Sequence, residues 1–295
     1  MNKDFLRESV KHGTDEYAYA QYHIKDLQYL FYMSYHWHDE IEIIYIKKGT
    51  LEVIIDDAHY HGKAGDIYFV NPRQIHMMET EDLGVEYYTV LFNMNLIQFM
   101  YGDESSESFN SIEDEELRLN TQLKELSAYK DILGLIKDII RINEGTSNKE
   151  GVSGGRNKFY KLESRIKLLE IMRILLLDVS EGRKGNESFV KNREIRRQIL
   201  TFIEGNYTEK ISLYDIAQVA HMSEKYFSRF FKDNFGMTFV DYVNRVRLEK
   251  AASLLKSTDD SVTEVAMKVG YANISYFIRS FKKAFGMSPH KFRNV

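Results

Sequence analysis

A short phrase of sequence occurs twice near the C-terminus of this chain of 295 residues. Residues 226–236 read YFSRFFKDNFG and residues 276–286 read YFIRSFKKAFG. In both copies two phenylalanines lie four residues apart, which places them on one face of a helix, while Arg and Lys fall largely off that face. The repeat therefore predicts two similar helical units. The alternative is a helical bundle in which the repeat is accidental and the charged face is merely solvated.

Each copy of the phrase is predicted to be the second helix of a pair. A short helix (213–220, then 262–269) is followed by a turn and by the second helix (224–235, then 275–285). The residues expected to cap and end the second helices are Ser223, Asn273 or Ser275, Gly236 and Gly286. A helix that is held by its aromatic face and presents basic residues outward fits the major groove of DNA. Two such units predict two successive groove contacts, ~10 base pairs apart.

The charge distribution agrees with a nucleic-acid-binding segment at the C-terminus. Residues 188–295 carry 18 Lys and Arg against 11 Asp and Glu, a net charge of +7, whereas residues 1–187 carry a net charge of −11. A basic segment on an acidic body is typical of a nucleic-acid module attached to another domain. Chance clustering of solvated charges is the alternative interpretation.

The C-terminal segment resembles the AraC/XylS family of transcription regulators. The resemblance covers about residues 190–295 and rests on IAQVAHMSEKYFSRFFKDNFG, the connecting RVRLEKAASLL and VGYANISYFIRSFKKAFGMSPHKFR. It implies a seven-helix domain in which a long helix, at about 238–256, joins two helix-turn-helix units. It also implies double-stranded DNA as a partner and admits RNA polymerase as a further one.

The same resemblance assigns residues of both second helices to DNA. Those expected by position to face bases or phosphates are Lys225, Tyr226, Ser228 and Arg229 in the first unit and Ile274, Ser275, Tyr276 and Arg279 in the second. Arg229 and Arg279 are the strongest candidates for base-edge or phosphate contacts. The apolar Ile274 would touch a thymine methyl group or face solvent. Phosphate contacts, which add affinity and salt dependence but little specificity, are expected from Lys232, Lys282 and Lys283.

The N-terminal part of the chain predicts a small barrel or sandwich of strands followed by helices. Its β-branched and aromatic segments, separated by Gly, Asp and Asn, are EIEIIYIKKG, LEVIID, DIYFVN and VEYYTVLFN. Helical patterns follow at about 115–143 and 159–180. The second pattern is apolar on more than one face, which predicts a buried helix or a subunit interface. Loops and a linker are expected at 96–114, 145–158 and 181–188.

Together these patterns predict an α+β multidomain chain. Residues 1–110 are expected to form a β-barrel, which the AraC/XylS resemblance implies is effector-binding, and residues 111–187 a helical linker and dimerisation segment. Residues 188–295 are expected to form an all-α domain with two helix-turn-helix units. The apolar helix and the family resemblance together predict a homodimer.

The segment HWHDEIEIIYIKKG (36–49) carries a second candidate site. His36, His38 and Glu42 keep the alternation that places side chains on one face of a strand. Their spacing, together with Gly49, resembles the first cupin motif, which implies that the barrel of residues 1–110 is cupin-like. The second cupin motif is matched only loosely at Gly65, Pro72 and His76, since the usual glycine after the proline is absent and the histidine lies one residue too close to the proline.

Three histidines and a glutamate are ligands for a divalent transition metal, which in a cupin-type enzyme can support redox or hydrolytic chemistry. The other interpretations are a polar lining of a ligand pocket, or structural histidines with satisfied hydrogen bonds. We favour a metal-free effector pocket, because the resemblance implies a sensory barrel that usually lacks catalysis and in many members binds a sugar. Five tyrosines and one tryptophan are expected to supply stacking faces and hydroxyls for a carbohydrate: Tyr22, Tyr32, Tyr45, Tyr68, Tyr88 and Trp37.

The predicted function is therefore a DNA-binding transcription regulator that responds to a small molecule, a carbohydrate by preference, without a cofactor and without catalysis. A metal-binding, cupin-type domain with catalytic activity, fused to a DNA-binding domain, is the alternative. A regulator whose barrel only dimerises is a third interpretation.

Composition excludes several classes of protein. The chain has no cysteine, which removes disulfides, thiolate zinc sites and cysteine nucleophiles and is compatible with the cytoplasm. It contains no apolar run of about 18 residues that would span a membrane. The N-terminal MNKDFLRESVKHGTDEY lacks the apolar segment of a signal peptide.

Overall fold

The computed structural model of the protein describes residues 13–14, 17–27, 31–56, 58–97, 111–112, 117–144, 158–178 and 187–294, without the side chains of residues 31, 32 and 187–193. Within these ranges, eight strands precede nine helices. This order confirms the predicted fold class, a β-domain followed by helices. None of the helices in these ranges is long and apolar enough to cross a membrane.

The strands form two antiparallel sheets that face each other. They are β1 (Tyr19–Ile24), β2 (Phe31–His36), β3 (Ile41–Lys48), β4 (Thr50–Ile55), β5 (Ala58–Lys63), β6 (Ile67–Val70), β7 (His76–Thr80) and β8 (Glu86–Phe92). The first sheet has the order β1-β8-β3-β6 and the second the order β2-β7-β4-β5. Apolar side chains fill the space between the sheets, among them Ile44, Val53 and Met78. This packing gives the predicted cupin-like barrel its interior.

The outer face of the first sheet is covered by two helices, α1 (Tyr129–Glu144) and α2 (Tyr160–Asp178). Ile132 and Ile136 of α1 and Leu168 of α2 are fully buried there, in one cluster with strand residues such as Phe69. The apolar stripe of α1 repeats every three to four residues and therefore packs on the sheet. The helix predicted at 159–180 is confirmed.

The helix predicted from about residue 115 is wrong over its first part, because α1 begins only at Tyr129. In the part of 117–128 that the structure describes, the chain is extended or in a short 3₁₀ turn, Leu123–Glu125. Its backbone bonds to the first sheet instead: Phe69 N donates to Thr121 O at 2.8 Å, and Leu119 N donates to Asn71 Oδ1 at 2.8 Å. The leucine spacing that resembled a helix serves to bury Leu119 and Leu123 against the sheet.

Seven helices make up the C-terminal part. They are α3 (Glu187–Asn206), α4 (Leu213–Val219), α5 (Glu224–Phe235), α6 (Phe239–Ser257), α7 (Val262–Lys268), α8 (Ile274–Phe285) and α9 (Pro289–Arg293). The long helix α6 joins two units with separate cores, since its N-terminal half packs with α4 and α5 and its C-terminal half with α7 and α8. Both pairs and the connecting helix agree with the helices predicted from the repeat.

The loops predicted at 96–114 and 145–158 and the linker at 181–188 lie mostly outside the described residues. The domain limits at 110 and 187 remain predictions. The last strand ends at Phe92, and α3 begins at Glu187.

Candidate nucleic-acid interface and effector site

A buried aromatic stripe holds the second helix of each pair. In α5, Phe227 and Phe231 are fully buried, with ring centroids 5.6 Å apart. In α8, Phe277 and Phe281 are buried at the same 5.6 Å separation. Any rotation of either helix about its axis would expose these rings to water. The stripe predicted from the sequence therefore sets which side chains of α5 and α8 point outward.

The start of each of these helices is set by a polar cap. Ser223 Oγ accepts a hydrogen bond from Tyr226 N at 3.4 Å, and Asn273 Oδ1 accepts one from Tyr276 N at 2.9 Å. Of the two caps predicted for α8, the structure selects Asn273. At the other end, both helices stop at the predicted glycines, which have positive φ angles of 68° and 72°.

The residues predicted to contact DNA lie on the outward faces of α5 and α8. Ten of the eleven are exposed: Lys225, Tyr226, Ser228, Arg229, Lys232, Ser275, Tyr276, Arg279, Lys282 and Lys283. Ile274 is the exception, because it is half-buried and packs against the core of the second unit. These positions make both helices available to a large anionic partner on the side opposite the aromatic stripe.

The predicted histidine site is assembled between the two sheets, at one end of the barrel. His36 ends β2 and pairs across the second sheet with His76, the first residue of β7. His38 follows β2 in the connection to β3, and Glu42 projects from β3 of the first sheet. One ligand atom from each of the four residues lies within 4.8 Å of every other. Three of them are buried, and His36 is half-buried.

Glu42 is the centre of this cluster. Its Oε2 lies 3.2 Å from His38 Nε2 and 2.9 Å from His76 Nε2. Burial favours the protonated acid, but the hydrogen bonds and positive charge of the two histidines outweigh it and hold the pKa of Glu42 well below its usual range. Glu42 is therefore an ionised carboxylate in the interior of the barrel.

Two of the tyrosines predicted for the effector pocket, Tyr22 and Tyr45, lie away from this cluster. Tyr45 points to the other face of the first sheet and belongs to the core under α1 and α2, beside Tyr88. Tyr22, on the edge strand β1, is 41% exposed. Tyr32 lies in β2, but its side chain falls outside the described residues.

Sequence reasoning missed a set of contacts between β2 and helix α6. Ser34 N donates to Glu249 Oε1 at 2.9 Å, and Ser34 Oγ donates to Oε2 of the same carboxylate. Tyr242 Oη donates to Tyr35 O at 3.1 Å. The alternation of buried and exposed residues along β2 is broken by a register shift between Met33 and His36, so the outward face of this strand is not readable from its sequence.

Burial of Glu249 in this contact raises its pKa from 4.5 to about 7, although the bonds from Ser34 act in the opposite direction. A second polar contact flanks it, an ion pair between Arg245 of α6 and Glu79 of β7. The cluster at the barrel end and the helix that joins the two helical units are thus attached to the same pair of strands.

Two family descriptions match the chain in the same order as its domains. The AraC-like ligand binding domain matches residues 19–154, and a helix-turn-helix domain matches residues 216–294. The chain belongs to the AraC family of transcription regulators. It is a DNA-binding regulator with a ligand-binding domain.

Individual relatives extend over nearly the whole AraC-family chain. The uncharacterized HTH-type transcriptional regulator YdeC of Bacillus subtilis (strain 168) is 27% identical over 98% of this chain and 96% of its own. The HTH-type transcriptional activator RhaS of Enterobacter sp. (strain 638) is 26% identical over 88% and 86%. Both relatives are named as transcription regulators.

A solved structure has the same layout of domains. Apo ToxT from Vibrio cholerae, in a lysine-to-alanine variant, matches 97% of this chain and 99% of its own, with a TM-score of 0.50 and 12% identity. The likeness supports the fold, a β-domain followed by paired helix-turn-helix units.

Proposed function

We propose that this AraC-family regulator binds one DNA site through α5 and α8, and that a small molecule bound in the barrel controls that binding. The observation that carries the proposal is the pair of exposed basic faces, each fixed by a buried phenylalanine stripe. Major-groove readout needs a rigid helix with exposed donors, and both helices satisfy this condition. We place the two helices in successive major grooves, ~10 base pairs apart.

Arg229 and Arg279 are proposed to read base edges, because a guanidinium donates two parallel hydrogen bonds to guanine. Lys232, Lys282 and Lys283 are proposed to contact phosphates. The two classes of residue differ in their salt dependence and in their effect on specificity. Contact with RNA polymerase and a cytoplasmic location remain predictions from the family resemblance.

The experiment begins with selection of a binding site from random DNA by the full chain. Fluorescence anisotropy then measures the Kd of the selected site for Arg229→Ala, Arg279→Ala and the wild type. Loss of a base contact should weaken binding by about 1–3 kcal/mol, roughly 5- to 150-fold, and relax selectivity at the contacted base pair. Lys130→Ala, an exposed basic residue on α1, is the matched control and should change nothing. Equal loss in the control, or no loss in either arginine variant, contradicts the proposal.

The effector is proposed to bind at the barrel end, where buried polar groups converge on Glu42. A carbohydrate remains the predicted class, and its support is the set of hydrogen-bonding groups of the histidine cluster rather than the tyrosines. A thermal-shift screen with sugars, with and without a chelator, tests this class. A ligand at 100 times its Kd should stabilise the native state by ~2.7 kcal/mol. A sugar shift that disappears in Glu42→Gln would support the site, whereas one that persists would place the effector elsewhere.

A homodimer is proposed to form through α2. Large apolar side chains on this helix stay exposed in the single chain: Phe159, just before it, and Leu162, Ile166 and Leu177. Ile166 and Leu177 border open grooves between α1 and α2. Burial of such a stripe against a second copy removes apolar surface from water, at roughly 25 cal/mol per Å².

A further inference from the structure

The hydrogen bonds of the three clustered histidines determine where their protons lie. His36 Nδ1 lies 2.9 Å from Ser34 O, His38 Nδ1 lies 3.0 Å from Glu40 O, and His76 Nδ1 lies 2.9 Å from Gln74 O. A backbone carbonyl can only accept a hydrogen bond, so each Nδ1 carries a hydrogen. A neutral imidazole of this tautomer has a lone pair on Nε2.

Two of these Nε2 atoms, from His38 and His76, face the same carboxylate oxygen of Glu42. The carboxylate is also an acceptor. In this tautomer three acceptor atoms, His38 Nε2, His76 Nε2 and Glu42 Oε2, converge in the interior of the barrel, where the two histidines are 2% and 0% exposed. Buried acceptors that face one another without a donor between them are costly. A cation between the lone pairs removes the conflict, because every facing atom becomes a ligand.

The distances fit one ion. Two ligands at ~2.1 Å from a metal ion lie ~3 Å apart when they are cis and at most ~4.2 Å apart when they are trans. The separations of 2.9 Å and 3.2 Å from Glu42 Oε2 match cis ligands. The limit of 4.8 Å that encloses all four ligand atoms is slightly above the trans separation, so the side chains draw together when the ion binds. Backbone carbonyls that bind the Nδ1–H groups orient the rings as the outer partners of metal sites do.

We propose that His36, His38, Glu42 and His76 bind one divalent first-row transition-metal ion. We also propose that binding of the ion alters the DNA-binding domain through the contacts of strand β2. Three imidazoles and one carboxylate suit Zn²⁺, Fe²⁺, Ni²⁺ or Cu²⁺ rather than Mg²⁺ or Ca²⁺, which prefer all-oxygen sites. The half-buried His36 marks the side from which the ion enters.

The second part of the proposal rests on the contacts of the residues next to the ligands. Ser34 and Tyr35, immediately before His36, bond to Glu249 and Tyr242 of α6. Trp37, between two ligands, lies 5.5 Å from the guanidinium of Arg197 on α3.

A parallel route leaves from His38. Its carbonyl accepts a hydrogen bond from Arg73 N at 2.7 Å, and Arg73 O in turn accepts one from Arg197 Nε at 3.1 Å. Movement of β2, or of the connection that carries His38, therefore changes hydrogen bonds to α3 or α6 when the ion binds. The coupling deepens the proposed function and rests on it, whereas the ion site does not. An ion held by these four side chains takes the place of the carbohydrate there, so the two ligands are alternatives at one site.

The ion site is tested with the chelator-treated full chain. Isothermal titration with Zn²⁺, Ni²⁺ and Mg²⁺, and the visible absorption of added Co²⁺, should give about one transition ion per chain and no Mg²⁺ binding. His36→Gln and Glu42→Gln should each weaken binding at least ~10-fold, the smallest loss expected even for an outer partner of a metal ligand. His59→Gln, an exposed histidine outside the cluster, is the matched control.

Circular dichroism establishes that each variant is folded. Because His36 is only half-buried, its substitution does not open a deep cavity. Folded wild-type protein that binds none of these ions overturns the ion site. Unchanged affinity in both folded variants overturns it as well.

The coupling is tested on the ion-loaded and ion-free wild type by two measurements. The Kd for the selected DNA site should change at least ~5-fold. Amide hydrogen exchange in α6 (Phe239–Ser257) should also change. Glu249→Gln and Ser34→Ala should bind the ion normally but reduce both changes. Stoichiometric ion binding with identical exchange in α6 overturns the coupling and leaves the ion site intact. Absence of any DNA binding contradicts the proposed function, while the ion titration and the exchange experiment still decide this proposal.

Discussion

Gly270 occupies a position that only glycine can fill without strain. It ends the first helix of the second unit with a φ of +86°. A Cβ built at this position would lie 2.4 Å from Thr208 O and 2.8 Å from Thr208 C, both backbone atoms of the loop that follows α3. Gly236 offers a direct comparison, because its φ of +68° is similar but a Cβ there would meet nothing within 4 Å.

Substitution of these two glycines by alanine should therefore separate the cost of a left-handed backbone from the cost of the contact with Thr208. Gly236→Ala should cost ~1–2 kcal/mol, the price of a left-handed residue with a Cβ. Gly270→Ala should cost at least ~1 kcal/mol more, because the backbone of Thr208 must also move. Urea unfolding followed by circular dichroism measures both. Equal losses for the two variants would show that the contact with Thr208 gives way freely.

Glu249 is the residue whose protonation should govern the barrel contact. Burial raises its pKa to about 7, with Glu204 adding to the shift and Lys250 opposing it. The folded chain therefore holds a proton that the unfolded chain releases near pH 4.5. Stability from the protonated acid is fully present below that pH and is lost as pH rises through about 7.

Glu249→Gln should remove this pH dependence. Relative to the variant, the wild type should lose stability between pH 5 and pH 8 by no more than ~3 kcal/mol, since a shift of one pKa unit corresponds to ~1.4 kcal/mol and the side chain keeps some contact with water. Chemical denaturation at several pH values measures the difference. A difference that is constant with pH would mean that Glu249 is ionised in the folded chain.

At the scale of elements, the repeat extends beyond the phrase that revealed it. The first helices of both units begin with a capping box: Ser212 with Asp215 in α4 and Ser261 with Glu264 in α7. In each box the serine side chain accepts from the backbone of the third helical residue, and the acid accepts from the serine backbone. Seven-residue helices are too short to be stable alone, so these caps and the tertiary contacts hold them.

Ser261→Ala should destabilise the second unit by ~1 kcal/mol, the usual cost of a lost N-cap. Ser253→Ala, at an exposed position inside α6, is the matched control and should be neutral or slightly stabilising, because alanine favours a helix interior. Thermal unfolding of the two variants compares them. A larger loss at Ser253 would contradict this account of the cap.

At the scale of the whole molecule, the barrel lies between two helical layers. Helices α1 and α2 cover its first sheet, and the first helix-turn-helix unit packs on its second sheet. One face thus carries the apolar stripe proposed for dimerisation, and the opposite face contacts the DNA-binding domain. The histidine cluster bridges the sheets between them, so an event there reaches the second sheet directly.

Dimerisation should depend on the stripe of α2. Ile166→Asp places a charge at the centre of this stripe, and light scattering should give the mass of one chain where the wild type gives that of two. Lys63→Asp, at an exposed position on β5 away from these grooves, is the control and should leave the dimer intact. A monomeric wild type at micromolar concentration would contradict the proposal.

The local sequence predicted the elements with the strongest patterns. Phe227, Phe231 and their counterparts in α8 predicted both inward faces, because helical spacing and glycine stops are properties of a short segment. The helix predicted around the leucines at 119 and 123 was wrong for the same reason. Their spacing suits a helix, but the sheet offers partners for the backbone of this segment, and no local pattern contains that information.

By itself, the sequence determined the family, the two helix-turn-helix units and the set of four residues at the barrel end, since each is written in spacing along the chain. Only the tertiary structure decided that His36, His38, Glu42 and His76 converge, that Tyr45 does not join them, and that Ser34 meets Glu249 across 215 positions of the chain. The physical reason is that burial, tautomer and ionisation depend on neighbours brought together by packing, and those neighbours are distant in sequence.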